Sequence, residues 1–198
     1  MKITKLTLFV FSIVLSQISN AHPGHGDYPS FMSGLMHPFS GMDHLLVIFL
    51  VGFWSVCCLK KIWIGPLAFM LGMVFGVLLG LASVSITWLE WAISLSVVFA
   101  GVFTILRKKM NSHLALYLLA IFGIFHGLAH GEVLSVMPMN FLSGSAQDLA
   151  GLLLATGMLH LVGIGAAKVG NASLPIISKG AGAISFSYGL FLIFKLIE

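Results

Sequence analysis

Two short clusters of histidine and acidic residues interrupt an otherwise apolar chain of 198 residues. The first runs from His37 to His44 and the second from Phe125 to Glu132, and together they hold four of the eight histidines and two of the six acids. Ionisable side chains at membrane depth cost roughly 3 kcal/mol each and mark ion or substrate paths. Imidazole with carboxylate is a ligand mixture that suits divalent nickel, cobalt and zinc. The two clusters therefore predict a metal site inside a membrane protein.

The second cluster has the spacing at which two histidines of one helix can bind the same metal ion. His126 and His130 are four residues apart, so on a helix both rings project from one face, one turn apart. Gly127 and Gly131 carry no side chain, which lets another helix or a hydrated ion approach. Glu132 follows directly and is a candidate ligand or an acid at the membrane surface. The alternative is a pair of core histidines that hydrogen-bond to neighbouring helices.

The first cluster combines a helix-start signal with an acid–histidine pair. Proline suits the first turn of a helix, so Pro38 predicts that the first span begins there with His37 at its cap. His44 would then lie two turns further on, on nearly the same face. Asp43 either orients the neighbouring imidazole or binds the ion itself. In the alternative reading, Asp43 and His44 only hydrogen-bond to other helices.

The composition predicts an all-α integral membrane protein. Charged residues make up 8% of the chain and hydrophobic residues 59%, and the mean hydropathy is +1.06. Such a surface suits lipid rather than water. We expect a bundle of six transmembrane helices over residues 39–59, 62–82, 88–106, 113–131, 146–167 and 178–197. Gly72, Gly76 and Gly80 repeat at the spacing by which small residues pack membrane helices together.

The N-terminal residues carry the pattern of a secretory leader. Two lysines, a short apolar stretch and a small-residue site ending at Ala21 predict a cleaved signal peptide over residues 1–21. An uncleaved anchor helix is the alternative. Cleavage leaves residues 22–36 as a polar outer arm, followed by a six-span transmembrane domain over residues 37–198.

The outer arm carries two further candidate metal ligands. Cleavage would make His22 the new N-terminus, where its amine and imidazole can chelate an ion, and His25 could add a third nitrogen. Pro23 has no N–H to give up to a square-planar amino-terminal site. We therefore expect loose metal capture at His22 and His25, with a disordered arm as the alternative.

The loop charges predict the orientation of the bundle. With the mature N-terminus outside, seven basic residues of the mature chain fall on the cytoplasmic side, namely Lys60, Lys61, Arg107, Lys108, Lys109, Lys168 and Lys179. The six acids fall on the outer side, where they would concentrate cations. The sequence thus predicts a multi-pass protein of the cell inner membrane with its N-terminus outside. The net charge of +4 follows from this topology, so no nucleic-acid partner is expected.

Several other polar residues have two interpretations. His160 either binds the ion at a later point on its path or forms a hydrogen bond between two helices. Asp148 either contributes to an outer vestibule or caps the start of span five. Glu90 stands beside Trp88 and Trp91, a pattern typical of an aromatic belt at the outer membrane surface.

The paired motifs resemble a known transporter family. His37-x5-Asp43-His44 in the first span and Phe125-His126-Gly127-x-Ala129-His130-Gly131 in the fourth are similar to the HupE/UreJ family of nickel/cobalt permeases. The resemblance extends over the leader, the histidine-bearing arm and the six-span layout. It implies secondary transport of nickel or cobalt into the cytoplasm, serving hydrogenase or urease maturation. The resemblance also implies which residues bind the metal, namely those at the positions of the family's two motifs: His37, Asp43, His44, His126, His130 and Glu132. The family's acid stands one residue further from the second glycine than Glu132 does.

Transport is the leading hypothesis, and two others stay open. The chain contains no nucleotide-binding P-loop, so we expect secondary transport driven by the membrane potential, with histidine titration as a route to proton coupling. A membrane metalloenzyme of the zinc hydrolase kind could use the same residues, although no HExxH motif is present. A metal-binding sensor or assembly subunit is the third reading. No prosthetic group is expected, since the divalent ion is the substrate, and the sequence leaves the oligomeric state open.

Overall fold

The computed structural model describes residues 29–107, 110–135, 141–170 and 174–198, and their regular structure is entirely helical. Seven helices occur in these ranges: α1 Phe31–Ser40, α2 Met42–Cys58, α3 Ile64–Leu81, α4 Leu89–Leu106, α5 Ser112–Ser135, α6 Phe141–Gly170 and α7 Leu174–Lys195. The predicted all-α fold is confirmed. The predicted signal peptide, together with His22 and His25, lies outside the described residues.

Helices α3 to α7 are each long and apolar enough to cross a membrane. Helices α1 and α2 meet at an angle of 85° and qualify only as a pair, either as one broken span or as a re-entrant loop. Among the described residues there are therefore five candidate spans, or six if the bent pair is one span. The first predicted span is the one that differs from expectation.

The predicted start of the first span is wrong. Pro38 lies within α1, near its C-terminal end, and a new helix begins at Met42 after the extended residue Gly41. The local sequence explains the difference, because Ser30 and Ser33 form a reciprocal capping box that starts a helix one residue later. Pro38 removes a backbone donor from this helix, which ends two residues further on. Helix α1 thus extends across residue 36, where the outer arm was predicted to end.

Helices α3 and α5 form the most extensive helix pair of the bundle and run in the same direction. On α3, Gly72, Gly76 and Gly80 lie against the main chain of α5 near residues 120, 124 and 131. The α5 glycines that lie against the main chain of α3 in return are Gly123, Gly127 and Gly131. A Cβ atom at any of these six positions would overlap backbone atoms of the other helix. The packing role predicted for the α3 glycines is confirmed, and α5 supplies a matching stripe.

Glycine also mediates the other main helix contacts. Gly101 of α4 and Gly182 of α7 meet where these helices cross. Gly52 of α2 lies against the backbone of α6 at His160, and Gly34 of α1 lies against it at Asp148. Small residues at such crossings let membrane helices approach closely without a hydrophobic driving force. Helix α6 thereby packs against both α1 and α2 and fixes the position of the bent pair.

The glycine packing between α3 and α5 can be tested with one methyl group. We expect Gly127→Ala to lower the free energy of unfolding by about 1–3 kcal/mol, because the new Cβ meets the main chain at Met73. The matched control is Gly165→Ala on α6, where no atom lies within 4 Å of an added Cβ. Thermal unfolding of the purified protein in detergent gives the measurement. Equal stability of the two variants would contradict the close packing.

Candidate metal site

The bend between α1 and α2 brings the first cluster onto the second. His37, near the end of α1, has its ring centroid 5.0 Å from that of His44 in the first turn of α2 and 3.9 Å from that of His130 on α5. The His44 ring lies 4.7 Å from that of His126 and 5.6 Å from that of His130. The four histidines predicted from the two motifs therefore form one continuous group of rings.

These residues form two overlapping sets of three donors. We call His37, His44 and His130 the exposed triad, and Asp43, His44 and His126 the buried triad. Within each triad, one ligand atom from each residue lies within 4.8 Å of the other two. His37 is partly exposed, whereas His126 has 0% exposure. Since His44 belongs to both triads, the two form adjacent positions that lead from a cavity into the protein.

Several ring nitrogens in the triads have no hydrogen-bond partner in the part of the chain that the structure describes. His44 Nε2, His126 Nδ1 and His130 Nε2 are buried and make no hydrogen bond with the described residues. An unpaired buried donor or acceptor costs about 1–3 kcal/mol, and most buried polar atoms in proteins are paired. Three such nitrogens on neighbouring rings are available as ligands for an ion, because no hydrogen bond within the described residues occupies them.

Asp43 has geometry for both of the roles left open by the sequence. Its Oδ2 atom lies 3.1 Å from Nδ1 of His44, so the carboxylate is beside that ring, although neither ring nitrogen of His44 makes an aligned hydrogen bond with the described residues. A carboxylate that fixes a ligating imidazole is a common feature of metal sites. Asp43 also offers a ligand oxygen within the buried triad.

Ser96 of α4 makes a side-chain hydrogen bond with His126, a contact that sequence reasoning missed. Its Oγ lies 2.7 Å from the carbonyl oxygen of Ile93 and 2.9 Å from Nε2 of His126. A hydroxyl has one proton to donate. When it is donated to Ile93, Oγ accepts the Nε2–H of His126 and leaves the lone pair on Nδ1. No sequence signal links Ser96 to His126, because the contact joins two helices 30 residues apart.

A cavity of about 290 Å³ opens over the exposed triad. His37, His44 and His130 line it, together with the acids Asp43, Glu90 and Asp148. Three of the six acids therefore share one cavity. Such a concave, acid-lined space attracts cations and raises their local concentration. Glu90, assigned from sequence only to an aromatic belt, was missed as a cavity residue, although the predicted sorting of acids to one side was a signal for it.

Asp148 is not a helix cap. It lies inside α6, which begins at Phe141, and its Oδ1 accepts a hydrogen bond of 2.7 Å from the hydroxyl of Ser33. The predicted start of span five at residue 146 was late by about one turn, so the N-cap assignment is wrong. The vestibule assignment agrees with its position in the cavity wall.

Two predicted residues lie away from the triads. Glu132 is in neither triad and does not line the cavity. It lies where Gly80 of α3 meets α5, and its Oε1 is buried with no hydrogen-bond partner among the described residues. His160 is buried beyond Phe69, with ring centroids 5.6 Å apart. Within the described part of the chain neither of its ring nitrogens is hydrogen-bonded, so the helix–helix hydrogen bond predicted for it is wrong.

Apolar helices around a histidine–carboxylate group beneath an acid-lined cavity define a polytopic membrane protein with a candidate divalent-metal site. Residues 10–192 match the family described as HupE / UreJ protein. Protein HupE of Rhizobium leguminosarum bv. viciae is 35% identical over 197 residues, which cover 98% of this chain and 100% of that protein. No solved structure matches the chain significantly. The chain belongs to the HupE/UreJ family.

Membership settles the choice between transporter and enzyme. The family is a transporter family for nickel and cobalt and not an enzyme family, so the metalloenzyme alternative is set aside. The metal ion is accordingly a substrate, and the lipid bilayer is the surroundings of the bundle. Binding of the ion by the two triads stays a prediction from sequence and geometry.

The role of Ser96 gives a test of the buried triad. We expect Ser96→Ala to weaken nickel binding by about tenfold, because the loss of the Nε2 partner frees His126 to adopt the other tautomer. Ser94→Ala on the same helix is the matched control, since Ser94 is also buried but, unlike Ser96, makes no side-chain hydrogen bond with a triad residue. Equilibrium binding to purified protein measures the effect. Equal affinities in the two variants would show that Ser96 does not prepare the site.

Proposed function

We propose that this protein imports nickel or cobalt from the outer side of the cell inner membrane into the cytoplasm by secondary transport, supplying hydrogenase or urease maturation. The observation that supports this most is the pair of triads that share His44 and lead from the partly exposed His37 to the fully buried His126. A resident structural metal is held in one closed site. Two overlapping sites suit a transported ion that passes from one set of ligands to the next.

The triads suit stepwise dehydration of a cation. An ion attracted into the cavity by its acids exchanges water for the imidazoles of the exposed triad. His44 can then stay bound while His37 and His130 are replaced by Asp43 and His126. Three protein donors leave coordination positions for water, so neither triad holds the ion as firmly as a closed four-ligand site. Conduction needs binding that is strong enough to admit the ion and weak enough to release it.

The charges at the ends of two helices support the proposed orientation. Helix α2 has Asp43 in its first turn and is followed by Lys60 and Lys61. Helix α4 has Glu90 in its first turn and is followed by Arg107. Both helices therefore have an acid at the cavity end and basic residues at the far end. Because basic loops remain in the cytoplasm, the cavity faces outward in the proposed topology.

The membrane potential is a sufficient driving force for this direction. One charge moving across 100 mV gains about 2.3 kcal/mol, so a divalent cation gains about 4.6 kcal/mol. The chain has no P-loop for nucleotide hydrolysis. The proposal therefore couples uptake to the potential, with protons that compete for the imidazoles as a second influence.

Reconstituted transport tests the proposed function. We expect proteoliposomes with an imposed inside-negative potential to take up nickel or cobalt, with zinc as a competitor, and a protonophore in cells to abolish energised uptake. Asp43→Ala and the double variant His126→Ala, His130→Ala should each reduce uptake by about tenfold or more. His113→Ala is the control, because His113 is exposed and remote from both triads. Unchanged uptake in the double variant would reject transport through the triads.

The cavity acids give a separate kinetic prediction. Replacing Glu90 by Gln and Asp148 by Asn keeps the side-chain shapes but removes two negative charges. We expect the KM for the metal to rise several-fold with little change in the maximal rate, and the effect to shrink at high ionic strength. Glu198→Gln, at the exposed chain end, is the control. A fall in maximal rate at constant KM would instead assign these acids to a later step.

A further inference from the structure

Phe69 of α3 lies against both the buried triad and a fifth histidine. Its side chain is fully buried, and its ring centroid lies 5.8 Å from that of His126 and 5.6 Å from that of His160. The same aromatic ring thus contacts both His126 of the buried triad and His160.

No hydrogen bond among the described residues explains the buried position of His160. Its residue exposure is 2%, and neither Nδ1 nor Nε2 has a hydrogen-bond partner among the described residues. A polar ring buried without hydrogen bonds is unfavourable, and in an apolar bundle it marks a functional position. The close packing of Gly52 against the α6 backbone at His160 also fixes the ring's height in the bundle.

Two further donors lie one turn away on the same two helices. Thr156 precedes His160 by four residues on α6, and Met73 follows Phe69 by four residues on α3. Thr156 Oγ1 lies 4.0 Å from Met73 Sδ, and both residues are fully buried. The pair Thr156 and His160 therefore faces the pair Met73 and Phe69 across the contact between α6 and α3.

We propose that His160, with Thr156 and Met73 as further donors on the side of the buried triad, forms an inner station for the transported cation. This inference rests on the proposed transport function and extends it past the family's two motifs. The inner station offers an imidazole nitrogen, a hydroxyl oxygen and a thioether sulfur. It has no carboxylate, so it binds a divalent ion more weakly than the Asp43 triad does. A weaker site after the triads lets the ion leave toward the cytoplasm.

The decisive experiment separates binding at the triads from passage beyond them. We expect His160→Leu, which keeps the side-chain volume, to lower reconstituted nickel uptake by about tenfold or more while nickel affinity of the detergent-solubilised protein stays within about twofold of wild type. His160→Gln returns one donor oxygen and should recover part of the uptake. His113→Ala again controls for loss of a histidine. Wild-type uptake by His160→Leu would overturn the inner station.

Two further results make the test independent of folding and of the proposed function. If His160→Leu fails to fold, as judged by size-exclusion chromatography, the isosteric Thr156→Val takes its place, and wild-type uptake by that variant overturns the station. If wild-type protein itself takes up no metal, the transport function fails. If wild type transports, His126→Ala does not, and His160→Leu does, only the inner station fails.

Discussion

The contact between α3 and α5 determines where the metal-site histidines point. Gly123, Gly127 and Gly131 repeat along one stripe of α5, and this stripe is closed against the α3 main chain. His126 and His130 each precede a glycine by one residue, so they lie about 100° around the helix from it. Fixing the glycine stripe against α3 therefore turns the histidine stripe toward α2 and α1. Because membrane helices associate through close van der Waals packing, this orientation depends on the absence of six side chains.

The second constraint is the bend at Gly41, which converts two distant residues of one motif into neighbours. A continuous helix would separate His37 from His44 by about 10 Å along its axis. The 85° bend instead brings their ring centroids to 5.0 Å and turns α1 over the cavity. The Ser33–Asp148 hydrogen bond and the Gly34 contact then attach α1 to α6. The site is consequently assembled by five helices.

Sequence alone predicted which residues meet but not how the first cluster is built. The pairing of His44 with His126 and His130 followed from span parity, and the loop charges predicted that parity. The bend was missed because Pro38 is compatible with the start of a helix as well as with its end, and the capping box at Ser30 was not used. Ser96 and Phe69 carry no local signal. A buried serine or phenylalanine in an apolar helix is ordinary, and its importance comes only from a partner on another helix.

The proposed path has a gradient of charge along it. Three acids line the cavity, one of them also serves the buried triad, and the inner station has none. Attraction between a cation and the protein therefore decreases inward, in the direction of proposed transport. Taken alone, this gradient would hold the ion near Asp43. A potential of 100 mV lowers the free energy of a divalent ion by about 4.6 kcal/mol across the whole membrane, and part of that fall acts between the triads and His160. Selective capture at the cavity and release toward the cytoplasm are thus compatible. The carboxylates provide the capture, and the membrane potential offsets the free energy needed to leave them.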